Sequence, residues 1–184
     1  HAPGLYAISH GSPAIEALWT YLSAGPFPDG PAMKAWLRRC ELSEDPLFFT
    51  VVDNERDRPA GMVSLLNIAR DMHRLEVGNI WYGTAYQRTR ANTEAVYLLL
   101  SVAFDVLGYR RVEWKCDALN ARSRAAAERL GFTFEGMFRQ HMVFKGRNRD
   151  TAWYALLDGE WPAVKANMEH WPVSYTHLTL PTKA

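Results

Sequence analysis

Three runs between residues 47 and 83, "LFFTVVD", "AGMVSLLNIA" and "LEVGNIWYG", crowd β-branched and aromatic residues between polar turns such as "NERDRP". That is the pattern of strands in an antiparallel meander. Ahead of them the apolar spacing is helical. "SPAIEALWTYL" opens with a Ser cap and an early Pro and sets Ile15, Leu18, Trp19 and Leu22 on one face. After the turn-rich "AGPFPDGP", the segment "AMKAWLRRCEL" places Met33, Trp36, Leu37 and Cys40 at the same period. Behind the meander, Asn92 or Thr93 is placed to cap a helix from Glu94 to Leu107, which Gly108 stops as a C′ residue. A strand "RRVEWKCDA", a helix "ARSRAAAERLG", strands "FTFEGMFRQHMVFKG" and "DTAWYALLD", and a Trp-containing helix "EWPAVKANMEHW" complete the order. It predicts a mixed α/β (α+β) plan around one sheet.

Composition narrows the partners. A chain of 184 residues with 48% hydrophobic content can bury one proper core and argues for a single domain, residues 1–171. The net charge of +1 comes without a run of Lys or Arg, so nucleic acid is not the expected partner. The longest apolar run, Val96 to Leu107, is broken by Ser101 and Asp105 and falls short of a bilayer span. No signal-peptide layout opens the chain, and a cytoplasmic protein is the expectation. Two cysteines and six histidines without paired ligand spacing do not predict a metal site. The last thirteen residues, "PVSYTHLTLPTKA", read as a non-native or disordered tail, 172–184, outside the fold.

The run "NARSRAAAERLGFTFEGMFRQHMVFKGRNRDTAWYALLDGEW", with "LEVGNIW" and "NTEAVYLLLSVAF", resembles the GNAT N-acetyltransferase superfamily, specifically its RimJ/RimL-like branch. The shared features are an Asn followed three residues on by Ser, then "LGF", "EG", an Arg, a later Asp in a strand and a terminal "EW". The similarity covers Pro46 to Trp171. It implies a splayed mixed sheet flanked by helices, whose parted strands admit the pantetheine arm of acetyl-CoA, and acetyl transfer to an amine. Members carry a strand before their first helix; here "HAPGLYA" reads as that helix, so the first strand is expected to be missing. A homodimer is a further expectation for the chain.

Acyl transfer from a thioester needs a neutral amine, a polarised carbonyl and a proton for the departing thiolate. The resemblance assigns the carbonyl's hydrogen bond to backbone at the end of "GNIWYG", at Ile80, Trp81 and Tyr82. It sets Asn120 and Ser123 against the pantetheine and the sulfur, with Ser123 as general acid. The alternative is an N-cap with a Ser in its first turn. Glu76 is the candidate base, or else a surface carboxylate near the start of its strand. Cys116 is cofactor-proximal or a buried small hydrophobe. His141 and Asp150 either face substrate or flank a hairpin tip at "KGRNRD", and of Trp153 and Tyr154 one is core while the other lines the amine pocket.

The stretch "QRTRANT" falls on the family's phosphate-gripping loop, from Gln87 through Arg88, Thr89, Arg90, Ala91, Asn92 and Thr93, with Arg90 and Asn92 where small residues are usual. A helix starting there still presents unpaired N–H groups and a positive dipole end, and Arg88 and Arg90 add charge-assisted hydrogen bonds. Arg122 and Arg124 beside Ser123 suit CoA phosphates or an acyl carboxylate, as in a succinyl-CoA-type enzyme. A non-catalytic acyl-CoA or small-ligand binding domain is the competing class. The acceptor is a small-molecule or peptide N-terminal amine, with Trp19, Tyr21, Phe27 and Trp36 as one wall or as core.

Overall fold

Side-chain caps fix where most of the helices begin. Ser12 accepts from Ile15 N–H, Asp29 from Ala32 N–H, Thr89 from Ala91 N–H and Asn120 from Ser123 N–H. In the computed structural model, which describes residues 1–170, the order is α1 (Ala2–Ser9), α2 (Pro13–Glu16, continuing as a 3₁₀ turn Ala17–Tyr21), α3 (Gly30–Leu42), β1 (Leu47–Asp53), β2 (Arg58–Ala69), β3 (Arg74–Tyr82), α4 (Arg90–Ser101), β4 (Arg111–Asp117), α5 (Ala121–Arg129), β5 (Thr133–Phe144), β6 (Arg147–Leu157) and α6 (Trp161–Glu169). The proposed tail lies outside the described residues. Among those described, no helix is long and apolar enough to cross a membrane.

Six strands form one mixed sheet in the order β1-β2-β3-β4-β6-β5. Alternation along the strands builds two cores on its opposite faces. Val63 and Tyr82 face α4, α5 and α6 in a cluster with Leu99, Leu100, Trp114 and Tyr154. Their neighbours Met62 and Trp81 face the other way, against Leu5, Trp19 and Met33 of the N-terminal helices.

The middle of the sheet opens. β3 and β4 pair in parallel only at Arg74–Arg111, Leu75–Val112 and Glu76–Glu113. Beyond that point each follows its outer neighbour: β3 stays with β2 as far as Tyr82–Gly61, and β4 stays with β6 as far as Asp117–Thr151. A bulge drives the separation. Val63 opposes both Asn79 and Ile80, since Met62 pairs with Trp81 and Ser64 with Gly78. Asn79 takes φ 50°, and its Nδ2 donates to Ser64 Oγ at 2.9 Å while that hydroxyl donates to Gly78 O at 3.0 Å. Asn tolerates this left-handed conformation better than most residues.

Two boundaries differ from the sequence reading, while the stop at Gly108 agrees with it. The helix after the meander is capped by Thr89, not by Asn92 or Thr93, because Thr89 adopts the extended cap conformation and Arg90 already continues the helix. It ends in a π-turn, Val102–Val106, before Gly108 at φ +63° stops it. The hairpin tip between β5 and β6 is only Lys145–Gly146, both at positive φ, so Asp150 sits within a strand rather than in a turn.

Candidate active site

The open wedge between β3 and β4 continues as one cleft from the start of α4 to the β4–α5 turn. Glu76, Ile80, Trp81, Tyr82, Gln87, Arg88, Thr89, Arg90, Asn92, Thr93, Asn120 and Ser123 all line it. Residues scattered from Glu76 to Ser123 therefore share one surface. Two expected members do not. Ala91 packs against the core beneath α4, and the Arg124 Nε donates to Tyr154 OH at 3.2 Å, on the helix side of the sheet.

At the apex of the wedge, Glu76 is neither exposed nor alone. It is 5% exposed, and its Oε2 takes Lys115 Nζ at 2.9 Å and Asn67 Nδ2 at 2.7 Å. Lys115 also reaches Glu113 Oε2 at 2.8 Å and lies 4.1 Å above the Trp153 ring. Burial pushes the Glu76 pKa above the ordinary carboxylate value even with Lys115 beside it. Glu113 goes the other way: burial opposes ionisation, but Lys115 and Arg111 outweigh it. Burial thus prevails at Glu76, while two cations prevail over it at Glu113.

On the β4 side, Asn120 caps α5 as its bland reading expects, and Ser123 stands in the first turn. Its Oγ accepts the Trp114 indole N–H at 3.0 Å, and the hydroxyl also lies within hydrogen-bond reach of the Cys116 thiol. Cys116 is buried, and burial raises its thiol pKa, which keeps it protonated. Of the aromatic pair on β6, Tyr154 is fully buried and Trp153 lines the cleft. Of the N-terminal aromatics, Trp19, Phe27 and Trp36 pack edge-on and tilted against one another, while the Tyr21 hydroxyl crosses to Leu119 O at 3.2 Å.

The phosphate-side loop is built without its usual glycines. Arg90 and Asn92 are helical and need none; the left-handed residue is Arg88, at φ 60°. Gln87 Nε2 ties the loop to Tyr82 O at 3.1 Å, and Tyr86 OH donates to Asp53 Oδ2 at 3.1 Å. Asn92 Oδ1 is buried with no hydrogen-bond partner among the described residues. From α5, Arg129 Nη1 bonds Thr93 Oγ1 at 2.8 Å and bridges the two helices that flank the wedge.

The acetyltransferase (GNAT) domain model matches residues 1–133. The chain belongs to the GNAT acetyltransferase family. A GCN5-related N-acetyltransferase structure from Brucella melitensis is 45% identical with a TM-score of 0.90, over 95% of this chain and 78% of that one. The Bacillus subtilis protein named "Putative ribosomal N-acetyltransferase YdaF" is 33% identical over 57% of each chain, so the match spans little more than half of that curated relative. A Vibrio cholerae spermidine N-acetyltransferase, solved with CoA and spermine, shares the fold at a TM-score of 0.68 and 16% identity, over 88% of this chain and 92% of that one.

As a GNAT domain the chain also uses residues that its sequence pattern did not single out. Ser64 and Asn79 hold the bulge, Lys115 and Asn67 hold Glu76, Trp114 holds Ser123, and Arg129 holds Thr93. Only Asn79, a left-handed-tolerant residue inside a strand run, carried a local signal.

Proposed function

We propose that this chain transfers the acetyl group of acetyl-CoA to an amine by direct attack. The observation that carries the reading is the wedge that opens beyond Glu76 and Glu113 and joins the start of α4 to Ser123 in one cleft. Acetyl-CoA supplies an activated thioester carbonyl there. The residues fit it: the positive dipole end of α4 and Arg88 beside it suit its phosphates, and the orphan Asn92 Oδ1 suits an amide N–H of its arm.

Backbone N–H groups on the edge of β3 that has parted from β4, near Ile80, polarise the carbonyl oxygen. The amine nitrogen forms the new C–N bond as the C–S bond breaks. Ser123, with its Oγ anchored by the Trp114 indole, donates its proton to the leaving sulfur. Lys115 and Asn67 both take Glu76 Oε2, so Oε1 accepts the amine's proton, directly or through water. The raised pKa of Glu76 suits a base that must hold that proton and then release it.

Incubation of the protein with acetyl-CoA and a panel of amines tests this, with free thiol and product mass followed together. Amine-dependent CoA release with an acetylated product is the expected result. Tight CoA binding without turnover of any amine refutes it.

A further inference from the structure

The tip of the β5–β6 hairpin carries three cations, and two are accounted for. Lys145 Nζ donates to the carbonyls of Trp19 at 2.8 Å and Gly25 at 3.1 Å, tying the N-terminal turn over the cleft. Arg147 pairs with Asp117 Oδ2 at 3.5 Å and lies 5.5 Å from the Tyr21 ring.

Arg149 differs. It is half-buried, and its Nε is closed off from solvent without an acceptor. Among the described residues its side chain makes no hydrogen bond or ion pair; its guanidinium lies 5.3 Å from the Phe144 ring. Arg149 and Phe144 both line the cleft, with Thr151 and Trp153 following Arg149 at period two along β6.

Burying a guanidinium without an acceptor is costly. The acids near it are committed elsewhere. Asp117 holds Arg147 and accepts Leu119 N–H at 2.9 Å. Asp150 accepts Gln140 N–H at 2.7 Å and Asn148 Nδ2 at 2.9 Å, and Glu76 and Glu113 hold Lys115. With no acid of this chain on its two Nη groups, the guanidinium keeps the paired donors that bind a carboxylate through two parallel bonds.

We propose that Arg149 binds a carboxylate on the acceptor, so that the preferred substrates are amines that also carry a carboxylate. The inference rests on the acetyl-transfer reading above. The reaction is unchanged: the amine nitrogen forms the C–N bond and loses a proton, the C–S bond breaks, the thiolate gains a proton, and the carboxylate is only held.

Matched acceptors test it: an L-amino acid against its carboxamide, and dipeptide amides with Glu or Gln at the second position, rates being compared for the neutral amine fraction. The wild type is expected to favour the carboxylate member by about 10- to 100-fold in kcat/KM. Arg149→Gln brings that ratio to near one, and Arg149→Lys, which keeps the charge and loses the fork, falls between. Equal rates within each pair, or a preference that survives Arg149→Gln, overturns the proposal. So does a dependence on Arg149 seen only when succinyl-CoA replaces acetyl-CoA, which places the carboxylate on the donor. Calorimetric titration of the same pairs into CoA-saturated protein separates the two readings. Selective binding of the acid, lost in Arg149→Gln, without turnover of any amine supports recognition and refutes acetyl transfer; equal binding refutes recognition.

Discussion

Ser123→Ala separates a chemical role from a structural one, because the hydroxyl is engaged on both sides. Trp114 is 4% exposed and its indole N–H has Ser123 Oγ as acceptor at 3.0 Å. Removing the oxygen leaves that buried donor unpaired, at about 1–3 kcal/mol of stability. For a chain of this length each kcal/mol lowers Tm by about 2–4 °C. If Ser123 also protonates the leaving thiolate, kcat falls by about 10²- to 10⁴-fold, with CoA affinity retained. Trp114→Phe is the control: it breaks the same hydrogen bond from the donor side and costs stability, but leaves the hydroxyl in the cleft. Thermal unfolding, calorimetric CoA binding and saturating thiol-release kinetics on both variants give the comparison. Ser123→Ala with lowered Tm and full kcat would falsify the acid role. Equal kcat losses in both variants would show that Ser123 acts only through packing.

Three further outcomes follow from the site. Arg88→Ala and Arg88→Gly both weaken CoA binding by about tenfold or more, and only glycine relieves the φ of 60°; an unchanged Kd in both would remove Arg88 from the phosphates. Lys115→Met leaves Glu76 buried against Glu113 without the shared ammonium and costs about 3–5 kcal/mol at neutral pH. The loss shrinks as pH falls and the carboxyls take up protons, and a pH-independent loss in denaturant titrations contradicts the pairing. Burial opposes ionisation of Asp53, but hydrogen bonds from Arg56 and Tyr86 win and hold its pKa below the ordinary carboxylate value. Such a group contributes stability above its unfolded-state pKa of about 3.9, lost as pH falls through the lowered folded value. Asp53→Asn is therefore expected to flatten the acid limb of the stability curve and, by freeing Tyr86, to loosen the loop that follows; an unaltered limb refutes it.

Much of the candidate site was legible because its residues sit next to element boundaries that local pattern marks. Asn120 and Ser123 fall at a strand-to-helix turn, and the run from Gln87 to Thr93 falls at another. The start of α4 was misplaced for a physical reason. Asn92 is a good cap residue, yet Thr89 caps equally well, and Arg88 accepts the left-handed conformation that a glycine was expected to provide. Arg149 escaped notice because "KGRNRD" is dense in turn formers, whereas β6 begins right after Gly146. Glu76 was open between base and surface; its burial became visible only with Lys115 opposite.

The sequence by itself determined the order of elements, the faces that pack and the stop at Gly108, since period, caps and φ-permissive residues act within a few positions. Tertiary structure decided where the sheet opens and what charges the opening carries. Ser64 must meet Asn79, Arg129 must cross to Thr93, and Lys145 must reach Trp19, 126 residues away. A side chain's partner across such distances is set by the fold as a whole. Local pattern reports which side of an element is buried and is silent on what it is buried against.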